Sequence, residues 1–395
     1  MEWLLAECKK QERELIEMRR ALHRIPEIGN DLPLTQAYVC ERLDSFGIPY
    51  RKNKNDSGVI VDIMGEGSGR TLAFRADMDG LHIVEETPIA FRSEIPDTMH
   101  GCGHDAHTAI LLSVAKILFA NRHRFGGCVR LLFQTGEETG TGAKRMLENG
   151  AIDGVDAICA IHVGNLTGDG RKAGELSFLS GPVSAGKNKF TITVHGVGTH
   201  SAFPEKGVDP ILVAARIVNG CEELMAREIP AGSAAVLSFG SLQAGLDHNT
   251  IPEKAVIKGS IRCQNEELRD FLGARLTEIA THIAAAYRAT AEVDLRKGSS
   301  TVMNDASLAT LAYGAVKKAL GEDGVNRTVD TALMGSDDFA NYACRIPGLY
   351  FFLSTNNPEK GITEPNHSPR FDVDEEVLVR GVAASVAIAI EYLNA

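Results

Sequence analysis

No stretch of this 395-residue chain approaches the ~20 consecutive apolar residues of a membrane span, and none of its eight cysteines forms a Cys-x-x-Cys pair. The first absence argues against a membrane-spanning protein. The second, with cysteines scattered at 8, 40, 102, 128, 159, 221, 263 and 344, argues for reduced and mostly buried thiols rather than a disulfide framework. Basic side chains are also in short supply: 41 Lys and Arg stand against 52 Asp and Glu, for a formal net charge of -11. That balance argues against nucleic-acid or anionic-membrane partners, which need a basic patch to displace counterions. At the amino terminus only Trp3 to Ala6 is apolar before Glu7, too short for the core of a signal peptide. The expectation is a cytoplasmic protein.

What is present is the composition of a soluble globular protein, with 44% hydrophobic and 24% charged residues. Its length exceeds what one core usually serves, so two domains are expected. Apolar residues at helical spacing mark helices over 1–24 and 33–46. Short β-rich runs follow at 59–64, 71–76, 129–134, 157–162 and 349–353, with helical stretches such as 108–120 and 142–149 between them. That alternation predicts an α/β domain with a mainly parallel sheet. From about Gly186 to Lys297 the pattern becomes β-α-β-β-α-β, the split βαβ unit of ferredoxin-like domains. The expected organisation is a catalytic domain in two parts, 1–185 and 298–395, interrupted by an inserted βαββαβ domain at 186–297.

One short run concentrates reactive groups. Met99-His-Gly-Cys-Gly-His-Asp105, with His107 close behind, places Cys102 and His104 one glycine apart, so that a thiolate and an imidazole can converge on one metal ion. A Cys packed as a small hydrophobe beside surface histidines is the competing reading of this run. Three β-runs lead into further candidates: 71–76 into Asp77 and Asp79, 129–134 into Glu137 and Glu138, and 157–161 into His162. Ligands of open α/β sheets gather beyond the carboxyl ends of the strands, so these groups can meet the Cys102 loop in one crevice. Hydrolysis of an amide requires an activated water, a polarised carbonyl and a protonated leaving nitrogen, and two metal ions serve the first two needs. Cys102 suits a bridge, His104 and His162 suit one ion, and Glu138 with His367 suits the other. Glu137 is then free for general acid/base work.

Seven motifs occur in order: Arg-Ala-Asp-Met-Asp-Gly (75–80), the run at 99–105, Gln-Thr-Gly-Glu-Glu (134–138), Ala-Ile-His-Val (160–163), Gly-Thr-His-Ser-Ala (198–202), Met-Gly-Ser-Asp-Asp-Phe (334–339) and His-Ser-Pro (367–369). In these the chain resembles the M20 metallopeptidase and amidohydrolase family, in its aminoacylase, hippurate hydrolase and indole-acetyl-amino-acid hydrolase branch, over nearly its whole length. The resemblance implies a zinc-peptidase-like catalytic domain whose inserted domain acts as lid and dimerisation element of a homodimer. It implies two divalent metal ions (zinc, manganese, cobalt or nickel) held by Cys102, His104, Glu138, His162 and His367, with Glu137 as general acid/base and Asp77 and Asp79 supporting the ligands. His200 would reach the partner subunit's active site and stabilise the oxyanion. Asn249 and Arg262 match substrate-binding positions. The implied reaction is hydrolysis of N-acyl-L-amino acids by metal-activated water. Dipeptidase- or aminopeptidase-like cleavage, or a silent metal- or ligand-binding homologue, are the alternatives, and a Cys102 nucleophile activated by His104 would leave Glu138, His162 and His367 without a task. Asn366 stands where relatives carry leucine, which places a polar group beside the expected substrate cavity.

Overall fold

A computed structural model describes residues 2–164, 166, 171–328 and 332–395. Contacts divide the chain into two compact units, Met1–Val183 with Val302–Leu333 and Asp337–Ala395, and Ser184–Thr301 with Met334–Ser336.

The first unit is built on an eight-stranded sheet. Its strands lie in the order Tyr50–Lys52, Val59–Met64, Cys128–Gln134, Thr71–Asp77, Ala157–Gly164, Gly348–Ser354, Leu176–Ser177, Val325–Asn326. The four central strands run parallel, Asp77 opposite Gln134 and Gly164 opposite Ser354, so their carboxyl ends share one edge. Antiparallel neighbours flank them. Ala157–Gly164 and Gly348–Ser354 are buried at every position, as strands covered on both faces must be. Side chains alternate between two cores: Phe74, Leu131 and Cys159 point to one, Ala73, Leu132 and Ile158 to the other. The helices Glu2–His23, His104–Ala120, Ala306–Leu320 and Leu378–Leu393 pack together over the first. In Glu2–His23 the buried residues Leu4, Cys8, Leu15, Met18 and Leu22 form the apolar stripe that holds it there.

The helix expected from Thr108 starts at His104. Its beginning is set by Gly103, whose φ of +87° turns the chain and leaves no room for a side chain, since a Cβ would sit 2.5 Å from Val163 Cγ2. Gly101, on the other side of Cys102, does not adopt a positive φ. Arg19, fully buried, ties this helix to the segment after His367 through Asp105 (2.8 Å), Asp372 (3.0 Å) and Glu375 (3.2 Å). Burial of so many charges is tolerated because each finds an opposite partner.

The second unit is an antiparallel sheet ordered Ala235–Ala244, Lys254–Cys263, Gly186–His195, Thr290–Lys297. Helices Pro210–Arg227 and Glu266–Ala286 cover one face around Ile192, Val213, Ile257 and Leu276. Each starts on a side-chain cap, Asp209 accepting from the Ile211 N–H and Asn265 from the Leu268 N–H. The chain order is strand, helix, strand, strand, helix, strand. The unit extends past 186–297 because Ala185 N–H bonds Gly335 O (2.7 Å), Lys187 N–H bonds Ser299 O (2.9 Å) and Gly186 N–H bonds Thr301 Oγ1 (3.1 Å). Among the described residues no helix is long and apolar enough to cross a membrane, and all eight cysteines are free thiols.

Candidate active site

The shared edge of the parallel strands gathers the first unit's candidates. Cys102 Sγ lies 3.6 Å from His162 Nε2 and 3.3 Å from His367 Nε2, and His367 Nε2 lies 3.3 Å from Glu138 Oε1. Ligand atoms of Cys102, His104 and His162 all fall within 4.8 Å of one another, as do those of Cys102, Glu138 and His367. Cys102, His104 and His162 are buried, whereas the His367 side chain is 53% exposed and marks the open side. His162 is not at its strand's end, as read from the sequence, but two residues inside it; the strand runs on to Gly164 in register with Ser354.

Backbone acceptors set the tautomers. His104 Nδ1–H donates to Asp79 O at 2.8 Å and His162 Nδ1–H to Val163 O at 2.8 Å, so both rings turn Nε2 into the cluster. His104 Nε2 is buried with no hydrogen-bond partner, and Glu138 Oε1 makes no directed hydrogen bond although two imidazoles flank it. Buried polar atoms are rarely left without a partner unless something else binds there. One soft thiolate donor, three imidazole nitrogens and a carboxylate form a set that fits divalent transition metals.

Electrostatics agree with that fit. Burial pulls His162 well below the ordinary histidine range and leaves a neutral ring with its lone pair available. Against burial, Asp77 and then Asp79 raise His104 well above its usual value, which marks Nε2 as a place where positive charge is favoured. Burial pushes the Cys102 thiol up to about 12, the opposite of what a free nucleophilic thiolate needs, whereas a coordinated thiol is deprotonated outright. Against burial, His367 and His104 hold Glu138 below the carboxylate range.

Glu137 behaves differently from its neighbour. Burial first, then Asp337, Glu138 and Asp338, raise its carboxyl well above the ordinary range. Nearby dications would oppose that shift. Asp79, expected to orient a ligand imidazole, does so through its backbone oxygen, while its carboxylate accepts the N–H groups of Glu137 and Glu138, both at 3.1 Å. It therefore fixes the doublet's turn as well as His104. Asp77 receives His107 Nδ1–H at 2.5 Å and Arg75 at 2.5 Å, and it stands 3.6 Å from His104 Nε2. His107 Nε2 in turn accepts the Val163 N–H at 2.8 Å, so both of its nitrogens are engaged and it is a strut rather than a ligand.

Three residues within the quoted motifs gain a role that their sequence positions did not suggest. Buried Arg75 spans Asp77, Asp337 (3.2 Å) and Asp338 (2.9 Å), and the two aspartates lie beside Glu137. An arginine inside an otherwise apolar strand, and a doublet of acids before Phe339, were the available signals. Asn366 does not point free into a cavity, since its amide bonds the Cys102 and Val163 carbonyls.

The remaining candidates belong to the second unit. His200 pairs with Thr250 across a two-residue ladder, and the Ser201 N–H bonds Asn249 O, so His200 and Asn249 are neighbours. His200 Nδ1 accepts the Ala202 N–H at 3.1 Å, which leaves Nε2–H outward as a donor on an exposed side chain. Arg262 donates to Met334 O at 2.9 Å.

Known proteins are similar to this chain over most of its length. A family model described as peptidase family M20/M25/M40 matches residues 73–391. Thermostable carboxypeptidase 2 of Saccharolobus solfataricus is 34% identical over 398 residues, covering 100% of this chain and 99% of the relative. N-acetyl-L-cysteine deacetylase of Bacillus subtilis is 33% identical over 370 residues, covering 93% of this chain and 86% of the relative. The solved structure of the Bacillus subtilis YXEP protein, described as a dinuclear metal-binding peptidase of the M20 family, matches with a TM-score of 0.85 at 32% identity, covering 98% of this chain and 99% of that one.

Proposed function

The chain belongs to peptidase family M20/M25/M40 and is a metal-dependent amide hydrolase, and from that premise we propose that it removes the acyl group from N-acyl-L-amino acids. The observation that carries the proposal is the convergence of Cys102, His104, His162, Glu138 and His367 in two groups joined at Cys102, with His104 Nε2 making no hydrogen bond and the Glu137 carboxylate beside His104 and Glu138.

The five donors would hold two divalent ions, zinc, manganese, cobalt or nickel according to supply, which when bound supply Lewis acidity toward the substrate carbonyl and water. Glu137 takes the water proton and passes it to the departing amine, work worth ~10²–10⁴-fold. Asp79 holds Glu137 and Glu138 in the turn that divides their tasks.

Substrate class follows from the leaving group. Two relatives named above, one called a carboxypeptidase and one an N-acetyl-L-cysteine deacetylase, support this class, because hydrolysis at a chain's carboxyl end or of an N-acetyl amino acid would in either case free an α-carboxylate-bearing amino acid. In this reading Asn249 and Arg262 receive that carboxylate, and expulsion of water strengthens the contact. A charged hydrogen bond of ~1.5–3 kcal/mol predicts that amino-acid amides are ~10–100-fold poorer in kcat/KM than the free acids. The test is a panel of N-acetyl and N-benzoyl L-amino acids, their amides and unblocked dipeptides, with amine release read before chelation, after it and after metal return. Equal kcat/KM for acid and amide would refute carboxylate recognition. Preferred cleavage of dipeptides would favour the second reading, peptide cleavage, which the carboxypeptidase relative supports.

For the second unit we infer a lid and homodimerisation role in a cytoplasmic enzyme. Among the described residues its sheet ends on the edge strand Ala235–Ala244, paired on one side only, where Val236 and Leu242 are exposed, and the helix Pro210–Arg227 exposes Ile211 and Leu212. Open edges and apolar patches of this kind suit a two-fold interface. His200 would then donate to the oxyanion formed in the partner copy. His200→Ala should keep metal and dimer yet lose ~10²–10³-fold in kcat. Mixed with Glu137→Gln subunits, it should regain part of the activity. No regain under verified subunit exchange would place the whole site in one chain.

A further inference from the structure

Asn366 sits where three ligand-bearing segments meet. Its Nδ2 donates to Cys102 O at 3.1 Å and to Val163 O at 3.3 Å, and it stands 4.0 Å from Cys102 Sγ. Val163 O is also the acceptor of His162 Nδ1–H at 2.8 Å, so the carbonyl that aims the His162 ring is itself held by Asn366. The next residue is His367, whose N–H bonds Gly101 O at 2.7 Å and whose φ of +70° is unusual for a side-chain-bearing residue.

Two details show that the chain is built around this amide. Gly164 has a φ of +132°, and a Cβ there would lie 2.2 Å from Asn366 Oδ1, so the position following Val163 is emptied for it. The orientation of the amide also has a chemical reason, because a flipped group would set Oδ1 against two carbonyl oxygens and forfeit both bonds.

We propose that Asn366 is a positioning residue of the metal centre, one that sets the spacing between the Cys102 loop and the His162 strand end and fixes where His367 enters. The inference rests on reading Cys102, His162 and His367 as ligands. Leucine at this position fills the same space without either donor, and aspartate keeps the shape while placing negative charge against two carbonyls and a thiolate. Both changes loosen the cluster without removing a ligand or a reacting group.

The experiment is a cobalt(II) titration of the metal-free full chain in three forms, native, Asn366→Leu and Asn366→Asp. It reads the dissociation constant, the near-ultraviolet thiolate-to-cobalt absorption and the thermal midpoint of the metal-free chain. Expected is a ~10–100-fold loss of affinity in the variants, with an altered thiolate band and a metal-free midpoint matching the native chain. If either variant does not fold, the other gives the reading. Affinity within about twofold of native with an unchanged band overturns the proposal, as does a lower metal-free midpoint with unchanged affinity, which makes Asn366 a residue of the fold alone. Absence of any thiolate band in the native chain would instead overturn the ligand reading itself.

Discussion

Replacing Cys102 with alanine is expected to remove metal and activity together. Among the donor groups of the described residues, Cys102 is the member that joins the His162 group to the His367 group, with Sγ 3.6 Å from one imidazole and 3.3 Å from the other. On the proposed reading, alanine would leave His162, His104, Glu138 and His367 without their shared donor. Lewis-acid assistance of several kcal/mol corresponds to more than ~10²-fold in rate, so activity should fall at least that far. Elemental analysis of the purified variant is the check. Two retained equivalents of metal per chain would end the bridging role, and with it the reason for the glycine-flanked turn at 101–103.

Much of the fold can be read from local pattern. The strand Val59–Met64 has the ends read for it, the helix Ala306–Leu320 is bounded by a capping Asp305 and a terminal Gly321, and alternation of buried and more exposed side chains marks Lys254–Cys263. The start of His104–Ala120 is not marked in that way, since it rests on a left-handed glycine with no capping side chain. Leu176–Ser177 and Val325–Asn326 are too short to carry a period at all, yet they complete the sheet. The site divides along the same line. Cys102, His104 and Glu138 announce themselves by residue type and local spacing. Arg75, Asp337 and Asp338 meet across more than 260 positions of chain, and only folding reveals that the arginine neutralises acids beside Glu137. Asn366 and His107 act through backbone groups of distant segments, for which no residue pattern exists.

Glu137→Gln should separate binding from chemistry. Glutamine keeps the size of the side chain and the backbone N–H that Asp79 holds at 3.1 Å, so the turn and the neighbouring Glu138 stay in place. What is lost is the group able to accept the water proton and return it to the leaving nitrogen. Metal content and substrate affinity should therefore match the native chain, while kcat falls by ~10²–10⁴-fold. Glu138→Gln should show the reverse order of effects, since its Oε1 faces His104 and His367 rather than a reacting proton: metal affinity drops first, and activity with it. The pH dependence supplies a second discriminator. Glu137 must be ionised to act as base, so the acid limb of kcat/KM should follow its carboxyl, which burial and the adjacent Asp337 and Asp338 hold above the ordinary range and bound dications pull back. That limb should vanish from the residual activity of Glu137→Gln. Equal loss of metal in both glutamine variants with substrate affinity unchanged would show that the two roles are wrongly assigned, and an unchanged acid limb in Glu137→Gln would show that the proton is carried by another group.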